Sequence, residues 1–153
     1  MIKVLFICHG NVCRSTMAEM VFKHLLRQEH LEIYFEINSA ATSREEIGNG
    51  VHYGTRRKLA EEQIMCEEHR AVQMTKKDYE YYDYLIGMDA NNIRNMQRIV
   101  GDDPKHKIYK LLDFSERRGD SIADPWYTGD FEETFRDVME GCIGLLAFLK
   151  GKI

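Results

Sequence analysis

The side chains best suited to chemistry lie in one short run, Cys8-His9-Gly10-Asn11-Val12-Cys13-Arg14-Ser15. A thiol opens the run and a guanidinium follows after five intervening residues. A loop of this length can curl so that successive backbone N–H groups point inward, which makes a nest for a phosphate-sized anion. If a helix starts where the loop ends, its dipole and free N–H groups favour negative charge at the same place. Gly10 and Asn11 are residue types that tolerate the left-handed backbone such a curl requires. A thiol at a helix N-terminus ionises readily, and thiolate is the reactive form of sulfur. The planar fork of Arg14 matches two phosphate oxygens at once, which lysine does not. Ser15 is placed to donate its hydroxyl to the sulfur. The Gly-Lys-Ser/Thr ending that holds nucleotide phosphates and magnesium is absent. Cysteine at the loop entrance points instead to covalent attack on a bound anion.

Such a loop needs a strand before it and a helix after it, and the flanking sequence supplies both. Lys3 to Cys8 is a continuous apolar run, the pattern of a strand buried on both faces. Met17, Met20, Val21 and Leu25 mark a helix over 16–27. Thr16 and Glu19 have capping-box spacing, which predicts a start near Ser15 or Thr16. Further strands are expected at 33–39, 84–88 and 107–112, and further helices at 52–62 and 90–100, with a Tyr-rich helical turn before 84. A polar loop, 113–128, carries Asp124 and Pro125. Phe131, Phe135, Val138, Cys142, Leu145 and Leu149 mark a long C-terminal amphipathic helix.

This alternation predicts an α/β fold: a three-layer sandwich with a central four-stranded parallel sheet flanked by helices, flavodoxin-like, with the phosphate loop after the first strand. Ligands in such sheets bind at the carboxyl ends of the strands, where Cys8 falls. The 153 residues form one expected domain, 1–153. The net charge of -4 gives no support to a nucleic-acid-binding surface. No stretch is long and apolar enough to cross a bilayer. The run Val4 to Ile7 is too short for a signal-peptide core, so a cytoplasmic protein is expected, with Cys8, Cys13, Cys66 and Cys142 mostly reduced. The cysteines show no zinc-type spacing, and neither a metal nor a cofactor is called for.

Taken with Asn38-Ser39-Ala40-Ala41-Thr42-Ser43, Glu46-Ile47-Gly48-Asn49, Asp83-Tyr84-Leu85-Ile86-Gly87-Met88-Asp89 and Asp124-Pro125, the loop resembles that of the low-molecular-weight protein tyrosine phosphatase family, nearly end to end. The resemblance implies hydrolysis of phosphomonoesters in two steps. Cys8 attacks phosphorus and forms a phosphocysteine; Arg14 and the loop N–H groups stabilise the equatorial oxygens. Asp124 protonates the leaving oxygen and then activates water. It also implies that Asn11, Ser39 and His69 hold the loop in shape, with Ser15, and that Cys13 pairs reversibly with Cys8 under oxidation. The expected partner is a phosphotyrosine protein or a small aryl phosphate.

Pro125 biases Asp124 toward extended backbone, and Trp126 and Tyr127 are placed to wall a slot for an aromatic ring. As exposed aromatics they also suit weak self-association of an otherwise monomeric chain. Asp89, ending a strand, suits either an ion pair with Arg14 or a helix N-cap. Three positions depart from the family pattern: Thr16 replaces a common proline, His9 a small or apolar residue, and Glu45 an aromatic wall of the substrate slot. His24, His30, His52 and His106 are expected on the solvated surface, as is the turn Arg56-Arg57-Lys58.

Two other activities use a similar fold. Thiol-dependent arsenate reduction needs relay cysteines around Tyr79 to Asn91, where this chain has none. Phosphoarginine hydrolysis is associated with threonine at the position of Val12. A phosphate-binding module without turnover is the remaining alternative.

Overall fold

A computed structural model describes residues 1–153. Its four strands are all parallel, in the order β2-β1-β3-β4. They are β1 (Ile2–Cys8), β2 (Phe35–Ala41), β3 (Tyr84–Gly87) and β4 (Ile108–Lys110). The helices are α1 (Arg14–Gln28), α2 (Tyr53–Glu61), α3 (Lys76–Tyr81), α4 (Ala90–Val100), α5 (Pro125–Thr128) and α6 (Phe131–Lys150).

β1 shows why the sheet needs cover on both sides. Its alternate residues Val4, Phe6 and Cys8 join one core with Met17, Val21 and Phe22 of α1 and Val138, Cys142 and Leu145 of α6. Leu5 and Ile7 face the other core, with Leu85, Tyr79, Tyr82 and Met96. The period of two along a strand sends neighbouring side chains to opposite faces, and from Val4 to Cys8 every one of them is apolar. Three layers follow, as the alternating pattern predicts.

The chain leaves β1 toward β2 on one side and returns to place β3 on the other. The order therefore reverses between β1 and β3. Connections diverge there and open a crevice at the carboxyl ends of the strands. The β1–α1 loop begins at Cys8, and Asp89 lies just past the end of β3, so both flank this crevice.

Several boundaries differ from the sequence expectation. α1 begins at Arg14, with Cys13 as its N-cap and no capping side chain. The Thr16–Glu19 capping box does not form. Thr16 donates its hydroxyl to the Cys13 carbonyl, and the Glu19 carboxylate turns to Ser39 and Lys23. β2 starts at Phe35, because Glu32–Tyr34 makes a 3₁₀ turn. β4 stops at Lys110, where Asp113 accepts from the Lys110 N–H and starts another 3₁₀ turn, Leu111–Phe114. Lys58 is buried rather than solvated; it pairs with Glu62 at 3.0 Å and with Glu132 of α6. No helix is long and apolar enough to cross a membrane.

The turn Leu111–Phe114 packs closely on α6 because Gly141 and Gly144 face it. A Cβ at Gly144 would lie 2.1 Å from the Phe114 carbonyl oxygen, a backbone atom that cannot rotate away. Gly144→Ala is expected to lower stability by about 1–3 kcal/mol despite the better helix propensity of alanine. A reduced urea midpoint with unchanged slope is the measurement that checks this.

Candidate active site

The phosphate loop is shaped by a buried asparagine. Asn11 has φ 60, the left-handed conformation anticipated for this loop. Gly10 keeps a negative φ and serves differently: a Cβ there would approach Glu46 Cγ to 3.2 Å. The Asn11 N–H donates to Cys8 Sγ at 3.3 Å. Its side-chain amide donates to Ser15 Oγ at 2.8 Å and to Ser39 Oγ at 2.9 Å. Its carbonyl oxygen accepts from the Val72 N–H at 3.2 Å and from His69 Nε2 at 2.7 Å. Since that oxygen only accepts, His69 carries a proton on Nε2.

Cys8 Sγ lies 3.1 Å from Ser15 Oγ. A neutral thiol donates in this pair, and with a thiolate the hydroxyl donates to sulfur. Ser39 donates its own hydroxyl hydrogen bond to the buried carboxylate of Glu19 at 2.5 Å. Glu19 is neutralised by Lys23, which also meets Glu67. These two carboxylates hold the Lys23 ammonium above its usual pKa despite its burial. Ser39 and His69, expected as loop supports, therefore belong to one network that ends beneath the sulfur.

Arg14 is buried, 4% exposed, and held from two loops. Nη1 pairs with Asp89 Oδ2 at 2.9 Å and donates to the Ile122 carbonyl at 3.1 Å. Asp89 does both jobs open to it, since its other oxygen caps α4 by accepting from the Asn92 N–H. Nη2 lies 3.4 Å from Asp124 Oδ2. Asp124 has the extended backbone that a following proline favours, φ -95 and ψ 112. Its Oδ1 accepts from the Trp126 N–H at 3.1 Å and fixes the head of α5. One carboxylate oxygen is thus tied to its own turn while the other faces the guanidinium.

These groups line a cleft of about 420 Å³. Cys8, His9, Gly10, Val12, Cys13 and Arg14 form its floor, and Trp126 and Tyr127 stand at the mouth. Glu45 also lines the cleft and accepts a hydrogen bond from His9 Nε2 at 2.8 Å. The two departures at the rim thus engage each other. Cys13 is buried, and burial, followed by the negative charge of Cys8 and Asp124, pushes its thiol up to about 12. It is a neutral thiol in the resting site. No group of three or more His, Cys, Asp or Glu side chains is arranged to hold a metal ion.

Sequence reasoning missed several contributors. Asn91 and Asn95 line the cleft from α4; their i, i+4 spacing just after Asp89 was the available signal. Glu19 was absorbed into a cap, although its i, i+4 relation to Lys23 on an otherwise apolar face marked a buried pair. His52 is half-buried among aromatic rings rather than solvated.

Known proteins match this arrangement. The sequence pattern described as Low molecular weight phosphotyrosine protein phosphatase fits residues 3–153. The low molecular weight protein-tyrosine-phosphatase YfkJ of Bacillus subtilis is 39% identical over 151 residues, covering 98% of this chain and 97% of the relative. Its crystal structure superposes with a TM-score of 0.95 over 99% of this chain and 96% of the other, at 38% identity. The low molecular weight phosphotyrosine protein phosphatase of Gallus gallus is 39% identical, covering 92% of this chain and 88% of the relative. A Drosophila arginine phosphatase has the same fold, with a TM-score of 0.86 and 27% identity, covering 97% of this chain and 98% of that one. The chain belongs to the low molecular weight phosphotyrosine protein phosphatase family, whose members are cysteine-dependent hydrolases.

His69 supplies a pH-dependent part of the loop's stability. Burial is the largest influence on it and lowers its pKa from 6.5 in spite of Glu19. A base with a lowered folded-state pKa stabilises the fold above its unfolded pKa, and this is lost as pH falls through the lower value. His69→Gln keeps a donor for Asn11 but does not titrate. The stability advantage of the wild type over this variant should shrink on acidification below about pH 6.5, read by urea unfolding across that range.

Proposed function

We propose that this protein hydrolyses phosphomonoesters, with protein phosphotyrosine as substrate, through a phosphocysteine intermediate. The observation that carries the reading is the convergence of Cys8, Arg14 and Asp124 in one cleft at the N-terminus of α1. The phosphoryl group sits in the loop, where Arg14 and the N–H groups of the helix terminus meet its negative charge. Cys8 Sγ attacks phosphorus as the P–O bond to the leaving group breaks. Asp124, protonated, gives its proton to the leaving phenolate oxygen. The resulting carboxylate then takes a proton from the water that attacks the phosphocysteine. Inorganic phosphate leaves, and the sulfur returns to the hydrogen bonds from Asn11 and Ser15. Trp126 and Tyr127 flank the substrate ring.

The cysteine pattern opposes arsenate reduction: Cys66 lies between α2 and α3, and Cys142 is enclosed in the core. Burial also pushes the Cys142 thiol up, so it is unsuited to disulfide relay. Val12, packed with Cys13 and Ala71, brings no hydroxyl to the sulfur, which supports aryl phosphate over phosphoarginine. Under oxidation we assign Cys13 as the partner that forms a disulfide with Cys8, both lining one cleft.

Wild type should release p-nitrophenol from p-nitrophenyl phosphate without added metal. Cys8→Ser should abolish turnover, and Asp124→Ala should reduce turnover of phenyl phosphate, whose leaving group needs a proton, about 10²–10⁴-fold. Absence of wild-type turnover on p-nitrophenyl phosphate and on phosphotyrosine peptides sinks the reading.

Glu45 sets a weak point in substrate binding. It offers a carboxylate where the slot lacks an aromatic wall, and it repels a dianion. Glu45→Trp should lower KM for aryl phosphates about twofold to thirteenfold, the value of an aromatic contact of about 0.5–1.5 kcal/mol. Steady-state kinetics on both forms decides it, and an unchanged or raised KM refutes it.

A further inference from the structure

His52 lies outside both catalytic loops yet touches each. Its backbone N–H donates to the Val12 carbonyl in the phosphate loop at 2.9 Å. Its ring lies parallel to Phe131, with centroids 5.5 Å apart and planes 15° apart. The same ring meets Trp126 edge-on at 5.4 Å and 68°. Nδ1 accepts from the Gly54 N–H at 3.0 Å, which caps α2 and fixes the ring's direction. Phe131, the first residue of α6, rests on Val12, Cys13 and Ala71. A Cβ at Gly54 would lie 2.4 Å from Phe131 Cζ, so glycine is needed where this ring packs. Gly54, Phe131 and His52 thus form a platform fastened to the phosphate loop, and Trp126 leans on it.

We propose that His52 is a positioning residue for the acid Asp124. The inference rests on the reading of Asp124 as proton donor. The Trp126 N–H holds Asp124 Oδ1, so the placement of Trp126 sets the direction of the carboxylate. Trp126 has 64% of its surface exposed, and its only aromatic contact is His52. Tyr127, 90% exposed, offers no second hold. The His52 ring restrains the Asp124-Pro125-Trp126 turn above the loop whose backbone the same residue grips.

Two variants separate the ring from the cap. His52→Asn keeps a good N-cap and loses the ring; His52→Phe keeps a ring and loses the cap. The test compares kcat/KM for phenyl phosphate, whose leaving group needs a proton, with that for p-nitrophenyl phosphate, whose leaving group needs it far less. This ratio of constants reports the step up to phosphoryl transfer to Cys8. His52→Asn should lose about tenfold on phenyl phosphate and less than about threefold on p-nitrophenyl phosphate, a fraction of the full acid effect. Its inhibition constant for inorganic phosphate should stay unchanged. His52→Phe should match wild type within about twofold on both substrates.

Trp126→Ala, at an exposed position, should show the same leaving-group bias, and combining it with His52→Asn should deepen that bias no further. Equal losses on the two substrates with His52→Asn, a leaving-group bias confined to His52→Phe, or additive effects in the double variant would each overturn the proposal. Asp124→Ala, run alongside, separates the two failures. If it shows the bias and His52→Asn does not, the positioning role falls alone. If it shows none, the acid assignment falls first and the positioning role with it.

Discussion

The site depends on the complete satisfaction of one buried amide. Asn11 is fully buried, and its side chain makes all four hydrogen bonds an asparagine can make: two donated to Ser15 and Ser39, two accepted from Val72 and His69. The four partners come from three parts of the chain: the start of α1, β2, and the segment between α2 and α3, which supplies both accepted bonds. A left-handed residue costs about 1–3 kcal/mol where it is not glycine, and it persists only when its surroundings over-determine it. Here four side-chain bonds do so, and the backbone N–H is left pointing at sulfur. The curl of the loop is therefore fixed by the protein's own hydrogen bonds, the pre-organisation that the electrostatic role proposed for it requires.

Arg14 illustrates the cost of that preparation. A guanidinium buried to this degree is expensive unless charged and polar partners surround it. Asp89, Asp124 and the Ile122 carbonyl provide them. In the proposed reaction a phosphate dianion meets a positive charge that these partners have already aimed. Five N–H donors on one rigid plane allow Arg14 to keep Asp89 and still offer the phosphate oxygens of the proposed substrate two bonds at once. Lysine at this position would offer a point charge and lose that division of labour.

How much of this was legible in sequence varies with the range of the interaction. The fold and the loop were readable because their signals are local: an apolar run buried on both faces, a helix period, and a Cys-to-Arg spacing between them. The capping box of Thr16 and Glu19 was misread for the opposite reason. Its local pattern is genuine, but Ser39 and Lys23 outcompete the backbone for the Glu19 carboxylate, and one of these lies on another strand. Lys58 likewise looked solvated on its own helix, while its partner Glu132 arrives from α6. His52 has a local role as the cap of α2, but nothing near it in sequence marks its contacts with the far end of the chain. Its environment is made by Trp126 and Phe131, more than seventy positions away in a chain whose sheet order decides which loops become neighbours.

The segment that bears Asp124, the proposed acid, shows the same dependence on distant contacts in its sharpest form. α5 is only four residues long, far below the length at which a helix holds itself in water. Its position must come from outside. On the inner side the Ile122 N–H donates to the Met88 carbonyl, the Ala123 N–H to Asp137, and Thr134 donates to the Ala123 carbonyl. Pro125 is buried and fixes one backbone angle. Asp137 is itself held by Arg117 at 2.8 Å. The segment is thus firmly held up to Asp124 and loosely held beyond it, where the exposed aromatics Trp126 and Tyr127 line the cleft. That division suits a loop that must aim one carboxylate within a fraction of an ångström and still admit a ring beside it.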